Sequence, residues 1–533
     1  MKRTFILAAL AVMAFVGCNK EAAVDSIQTV DGPAAMLKVN LKAAGTITKA
    51  AGDSFAYGTA DENVVNKVDF YFYDASGNPY SVVSNGDNVI NWKKGTEVNV
   101  EKISNAVLVI RKSQEALPTH VVAVLNSKTD YKTKTLAEMG AALATLTTDQ
   151  GFVMSNSVYV DGNGAKVVAT EISPENVFTV AAPDTLPDAG AELDLPGVDP
   201  VDIYVERVAA KVVVNPRGLM PVYDPADAKK QMKDADGQLV YAKVLGWDIT
   251  NCTSEGYLVK SIDPEWTATA VGFSPWNNAA LYRSYWAATT ATPAHPHTYT
   301  ALTKHNVKFD YYYENTKGGA DKENSIVSGE GNQTPQLLVA AMLTNEKGEA
   351  INLAKWYNVL YTIKDLKIAM ANKLAAKLYV KVSAEGEDAK YVSVNVDDID
   401  FQQRKSTVAD NRYEVLALPK AGVTYYTVNG DEVSVVSEAE AISTFKDLAP
   451  AMMWKEGATY YYSNIQHFGD ATGMVRNHVY DITLTGVKGF GTPVYNPDEV
   501  IIPERTDEQE YANLAAQINI LSWHVVANEV TLQ

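Results

Sequence analysis

Short runs in which apolar and polar residues alternate recur from one end of this chain to the other, each closed by a turn signal. Successive side chains of a strand point to opposite faces, so a period of two specifies half-buried β-strands and excludes long helices. Leu37-Lys38-Val39-Asn40-Leu41-Lys42-Ala43 is one such run. Residues 64–73 end at Ser76-Gly77-Asn78-Pro79, and residues 201–214 end at Asn215-Pro216-Arg217-Gly218. Residues 106–110 and 120–125 are uninterrupted apolar runs, as expected of strands in a sandwich core. One short helix is expected within residues 136–146. The abundance of Tyr, Thr and Val suits pleated surfaces. The expected class is all-β: two β-sandwiches in tandem, with few short helices.

Length supports the tandem. More than 500 residues remain after an N-terminal leader, enough for two or more domains. Pro216, Gly218, Pro221 and Pro225, followed by a charged run at 229–236, mark a boundary between 215 and 236. Residues 50–218 are read as the N-terminal sandwich and 230–510 as the C-terminal one, with strands at 245–250, 337–343, 376–382, 392–396 and 478–484. A proline- and acid-rich link at 492–510 leads to an apolar terminal segment, 511–533.

The leader is explicit. Lys2 and Arg3 precede an apolar run at 5–16, shorter than the roughly 20 residues a membrane span needs. Gly17 and Cys18 follow, so residues 1–17 read as a secretory signal peptide. Phe15-Val16-Gly17-Cys18 resembles a lipobox, in which Cys18 is acylated and becomes the new N-terminus. Asn19 rather than Asp follows it, which points to the outer membrane. Residues 19–35 are small and polar, a tether between lipid and fold. With Cys18 acylated, Cys252 has no partner within the chain and reads as a buried small hydrophobe. The net charge of −18 argues against nucleic acid as a partner and against charge-driven binding to anionic lipid.

No Walker loop, dinucleotide fingerprint, nucleophile elbow or zinc-protease helix is present. The chain therefore reads as a non-enzyme without cofactor or metal. Weaker constellations remain. His295, His297 and His305 could ligate a metal, or be scattered loop histidines. Asp397, Asp398 and Asp400, or Asp234 and Asp236, could hold calcium, or be a strand end and an Asp/Gly turn. Trp276, Tyr282, Tyr285 and Trp286 could stack on sugars, or pack a core.

Several segments, in this order, resemble the fimbrillins, the lipoprotein-derived subunits of type V pili, and most closely the major subunit of short fimbriae. They are Phe152 to Ser157, Tyr204-Val205-Glu206-Arg207-Val208-Ala209-Ala210-Lys211-Val212, Ala242 to Trp247, Arg283 to Ala287, Tyr312-Tyr313-Glu314-Asn315-Thr316, and Gly473 to Tyr480. The resemblance implies two transthyretin-like sandwiches, the first closed by the strand carrying Glu206 and Arg207. It implies delivery through the periplasm to the outer membrane and the surface fimbrium, and partners of three kinds: further copies of the chain, tip and anchor subunits, and a surface protease. The protease removes residues 18–49, including a detachable first strand with Leu37, Val39, Leu41 and Ala43 on one face. A neighbour's C-terminal strand, with Leu521, Trp523, Val525 and Ala527 on one face, then fills the groove. Family members are cut after arginine, but no Arg lies between Arg3 and Arg111, and Lys49-Ala50 stands where the cut would fall. A stalk subunit is the leading expectation. Its rivals are a tip or anchor subunit and a monomeric glycan-binding lipoprotein.

Overall fold

The computed structural model describes residues 34–43, 53–54, 59, 61–80, 93–94, 104–111, 116–156, 159–160, 166–180, 199–260, 297–315, 335–383, 388–404, 413–466, 473–501, 513–522 and 525–526. The fold is all-β with a few short helices.

Nine strands form an N-terminal sheet among the described residues. Strand β1 (Ala34–Ala43) belongs to it, whereas β2 (Asp53–Ser54) joins another sheet. It continues with β3 (Val68–Tyr73), β4 (Ser104–Arg111), β5 (His120–Leu125), β6 (Met154–Asn156), β7 (Val177–Val180) and β8 (Val201–Arg207). β5 lies between β3 and β6, and β6 pairs with β8. The apolar run of β5 is buried on both faces. Val121, Ala123 and Leu125 pack with Phe72, Met154 and Ile203, while Val122 and Val124 pack with Tyr71, Tyr131 and Met139. Each large apolar side chain so buried contributes roughly 1.5–3 kcal/mol.

The chain passes to the second sheet at Val208. Strands β9 (Ala209–Pro216), β10 (Leu219–Asp224), β11 (Tyr241–Thr250), β12 (Phe309–Tyr313), β13 (Gln336–Thr344), β14 (Ala458–Asn464), β15 (His478–Lys488), β16 (Asn513–Ser522) and β17 (Val525–Val526) belong to it. Pairings run β15–β16–β14–β13–β11–β10 and back to β15, a circuit joined between β16 and β14 at a single register. Alternation sets the core: Leu337, Val339, Ala341 and Leu343 of β13 meet Tyr480, Ile482 and Leu484 of β15. The opposite face of β13, with Leu338 and Ala340, packs on Tyr299 and Leu302.

The proline- and glycine-marked stretch at 215–236 is thus not a boundary. Pro216 ends β9, Pro221 lies within β10, and a further strand at Asp227–Gln231 pairs back on β10. Proline is compatible with a sheet wherever its missing donor is not needed. The passage between sheets takes a single buried residue that carries no turn signal.

Helices are short and capped. α1 (Leu136–Gly140) covers only the start of the expected 136–146 segment, where Thr135 and Glu138 form a capping box. α2 is Tyr299–Lys304. α3 (Ile363–Leu374) and α4 (Glu438–Lys446) were not anticipated, although Thr362 before Asp365 and Ser437 before Glu440 are start signals in plain sight. They belong to a unit at 353–454, inserted between the paired strands β13 and β14, with a five-stranded and a four-stranded sheet. It has its own core, including Leu366, Met370, Val415, Tyr425 and Phe445.

Three hairpin turns share one device. Asp74, Asp234 and Asn345 each accept two backbone N–H groups through Oδ1, and glycines 77, 237 and 348 take φ of 77°, 80° and 80°. The aspartates at 234 and 236 therefore build a turn. Gly246 has a different role: a Cβ there would stand 2.0 Å from the Leu302 carbonyl oxygen, so only glycine lets α2 lie on β11.

Candidate functional site

The sequence points to the two terminal strands, and their surroundings differ. β1 has partners on both sides. It runs antiparallel to β4 from Ala34↔Arg111 to Leu41↔Ser104. Its other side pairs with β7 from Ala34↔Val180 to Leu37↔Val177, then parallel to β8 from Val39↔Val201 to Ala43↔Val205. Leu37, Val39, Leu41 and Ala43 all fall in this strand.

β16 pairs along its whole length with β15, from Asn513↔Lys488 to Ser522↔His478. Its other side meets β14 only at Asn513↔Tyr462 and β17 at Ile520↔Val526 and Leu521↔Val525. β17 in turn pairs with β2 through Val526↔Asp53 and Val525↔Ser54. Leu521 and Val525 are thus in register with each other. Trp523, Ala527, Cys18, Lys49 and Ala50 lie outside the described residues, as do His295 and the aromatic cluster at 276–286.

A feature missed from the sequence lies between the two sheets. Charged side chains converge there with almost no exposure: Glu206 3%, Arg207 4%, Lys260 0%, Glu314 3% and Arg476 0%. Lys260 Nζ stands 3.0 Å from Glu206 Oε2. Arg476 donates to Glu314 Oε1 from Nε at 3.0 Å and from Nη2 at 2.5 Å, and to the carbonyls of Leu258 (2.9 Å) and Tyr257 (2.5 Å). Arg207 donates from Nε to the Glu62 carbonyl (2.9 Å) and from Nη1 to Asn477 Oδ1 (3.2 Å). The Glu62 carboxylate takes Lys211 Nζ at 2.5 Å and the Tyr311 hydroxyl. Asn477, at φ 57°, donates its N–H to the Ala209 carbonyl at 2.7 Å. Asn315 and Met474 exchange backbone hydrogen bonds of 2.8 and 2.7 Å.

Burial pushes the Glu206 carboxyl up and the Lys260 ammonium down, and brings the Arg207 guanidinium down to about 10. At Glu62 burial also pushes up, but the hydrogen bonds from Lys211, Tyr311 and Thr59 outweigh it and hold the carboxyl below its usual range. Such pairs cost desolvation, and breaking one costs about 3–5 kcal/mol because the survivor stays buried and unmatched. The segments 204–212, 312–316 and 473–480, quoted above as separate sequence similarities, meet in this seam. Strand-end charges inside apolar runs, as in Val205-Glu206-Arg207-Val208, were the available signal.

The remaining candidates take structural places. His305, closing α2, lies with Nδ1 2.5 Å from the Trp247 carbonyl and Nε2 2.9 Å from Asp310. Burial lowers its pKa, but those acceptors and Asp248 outweigh it and favour the cation. His297 sits with Nε2 3.1 Å from the Ile249 carbonyl and Nδ1 3.4 Å from Asp248. Asp398 accepts the Asn395 N–H at 2.9 Å, and Asn395 accepts that of Asp397 at 2.8 Å, a capping box on a single 3-10 turn. Cys252 lies at the edge of the second core, its thiol 3.2 Å from the Ile249 carbonyl and pushed well up by burial.

Against this geometry, comparison with known proteins is informative at one end of the chain. Residues 452–529 match the family model for the C-terminal region of fimbrillin, the major fimbrial subunit protein type IV. That region, and not the chain as a whole, is what resembles fimbrillin. The fimbrillin match takes in β14 to β17, and so the terminal strand itself. A search of curated proteins returns no match. Solved structures similar to this chain include a candidate cell adhesion protein from Bacteroides eggerthii DSM 20697, at 12% identity, covering 93% of this chain and 98% of that one, TM-score 0.34. A fimbrial assembly protein from Parabacteroides distasonis ATCC 8503 aligns at 9% identity, over 75% and 98%, TM-score 0.27. The tip fimbrial protein Mfa3 from Porphyromonas gingivalis, with its C-terminus truncated, aligns at 10% identity, over 92% and 100%, TM-score 0.31.

Proposed function

We propose that this chain is the structural subunit of a cell-surface pilus, exported as a lipoprotein through Cys18, cut near Lys49-Ala50, and polymerised by strand exchange. The observation that carries the reading is the position of β1. It is the first strand among the described residues, yet it lies inside a sheet, hydrogen-bonded on both sides. Its removal leaves an interior slot between β4 and the β7–β8 edge, with backbone donors and acceptors exposed on both walls. Unpaired buried backbone groups are costly, so the slot favours any strand of matching pattern. The terminal strand of the next copy, carrying Leu521, Trp523, Val525 and Ala527, supplies one by β-augmentation.

Before donation the terminal strand has to leave β15. Exchange between two ladders of similar length needs little net gain from hydrogen bonds, since their net worth is only about 0.5–1.5 kcal/mol each. Burial of the apolar face in the slot then decides the direction. Copies of the same chain are the main partners, with tip and anchor subunits at the ends and the outer membrane holding the precursor. A stalk role fits best, because the chain has both a removable first strand and a terminal strand to give.

The test is limited trypsin treatment of the lipid-free precursor. The expected result is loss of residues up to Lys49 and a ladder of multimers on a gel of unheated samples. A monomer that stays monomeric after that cut rules out self-assembly by exchange.

A further inference from the structure

We propose that β8 and β9 act as one tension-bearing strut through both sheets, held in line by the buried ionic seam, so that axial load falls on the ladders in shear. The proposal rests on the pilus reading for its purpose, because a filament subunit is pulled from both ends.

β8 ends at Arg207 and β9 begins at Ala209, and only Val208 lies between them. Val208 is fully buried, and its N–H donates to the Val153 carbonyl at 3.0 Å. On the N-terminal side β8 runs parallel to the β1 slot, from Val201↔Val39 to Val205↔Ala43. On the other side β9 runs parallel to β15, from Lys211↔Val479 to Pro216↔Leu484. Parallel neighbours pulled at opposite ends slide along their common axis. Every rung must then yield together, whereas strands pulled apart at one end open rung by rung.

A one-residue passage between sheets would by itself be a hinge. The seam closes it from several sides. Glu206 and Arg207 come from β8, Lys260 and the Tyr257 and Leu258 carbonyls from the segment after β11, Glu314 from the end of β12, and Arg476 and Asn477 from the entry to β15. The Asn477 N–H bonded to the Ala209 carbonyl ties the start of β15 to the start of β9. Apolar contacts are non-directional and tolerate sliding. Guanidinium–carboxylate hydrogen bonds fix both distance and angle. An interface meant to hold strands in line under load is a place where charge justifies its desolvation.

The experiment is single-molecule pulling of the monomer, residues 19–533, in a Cys252→Ala background. Handles on Asp202→Cys and Lys488→Cys load the strut axially. Handles on Arg217→Cys and Thr485→Cys peel β9 from β15 at one end. The axial lifetime under constant force is expected to exceed the peeling lifetime, and Arg476→Gln to shorten it on the order of 100-fold. The pair Arg476→Met with Glu314→Leu guards against a folding defect. It leaves no unmatched charge, so it is expected to keep its melting temperature while losing axial lifetime and keeping peeling lifetime. An axial lifetime no longer than the peeling one, or one unchanged in the double variant, overturns the proposal. Monomer pulling does not depend on polymerisation, so failure here is distinct from failure to form ladders.

Discussion

β1 and β16 are both terminal strands with apolar alternation, but the chain holds them differently. β1 sits between two walls, paired on each side for most of its length. β16 has one continuous partner, β15, and touches β14 at a single register. Removing β1 therefore opens a slot with two unsatisfied walls, whereas releasing β16 opens one long edge. A two-walled slot is the better acceptor, because it satisfies both edges of an incoming strand. A one-walled seat is the better donor, because fewer bonds must break for the strand to leave. Under the proposed strand exchange, this asymmetry in pairing distinguishes the two strands more sharply than hydrophobicity, which is similar at both ends.

The largest expected effect comes from deleting residues 513–533. Multimer ladders should vanish altogether, while circular dichroism retains the β-sheet signal and melting stays cooperative. If the truncated chain unfolds, β16 is an indispensable part of its own circuit and the donor role fails. Trp523→Asp tests the same contact with one residue: a carboxylate in an apolar slot loses hydration without a partner. It should abolish ladders and spare the monomer.

Next in size is Lys260→Met, which strands the Glu206 carboxylate between the two sheets. Denaturant titration should show a loss of about 3–5 kcal/mol, much of it recovered by adding Glu206→Leu. Because the seam lies between the sheet that holds β1 and the sheet that holds β16, this variant also asks whether the two ends communicate. Ladder formation by the recovered double variant would show that exchange needs only the local walls.

The smallest effect is one of pH. Glu62 is buried against Lys211 and Tyr311, and its carboxyl is held below the ordinary value of 4.5. The sign follows from linkage: its stabilisation is fully present above the unfolded value and is lost as pH falls through the lower folded value. Melting temperature should thus fall with acid below about pH 4.5, and the Glu62→Gln variant should show a shallower slope there. A slope equal to that of the natural chain would mean that acid acts elsewhere, and would remove Glu62 from the contacts bracing the N-terminal side.

Much of this could be read without coordinates, and the reasons are local. Alternation specified β1 and continuous apolar runs specified β5 and β13, because each pattern is written in neighbouring residues and needs no help from distant ones. The Asp-x-x-Gly and Asn-x-x-Gly turns at 74–77, 234–237 and 345–348 were equally legible, since each closes on its own backbone. The helices at 363–374 and 438–446 went unread despite their caps, because their apolar stripes are short within a chain of β pattern. The passage at Val208 was misplaced to the proline-rich stretch that follows, because proline marks where a ladder lacks a donor, not where a sheet ends.

What tertiary structure alone decided is which strand lies beside which, and what the charges near their ends are for. Nothing adjacent in sequence tells Glu206 that Lys260 will be its partner, or Arg476 that Glu314 and the Leu258 carbonyl will receive it. A charge in a strand is costly or useful according to the groups that distant segments bring within hydrogen-bonding reach. The sequence by itself determined an all-β chain with apolar strands at both ends. The fold decided that the first lies between two walls and the last against one, because hydrogen-bonding partners across a sheet are chosen by topology and not by spacing along the chain.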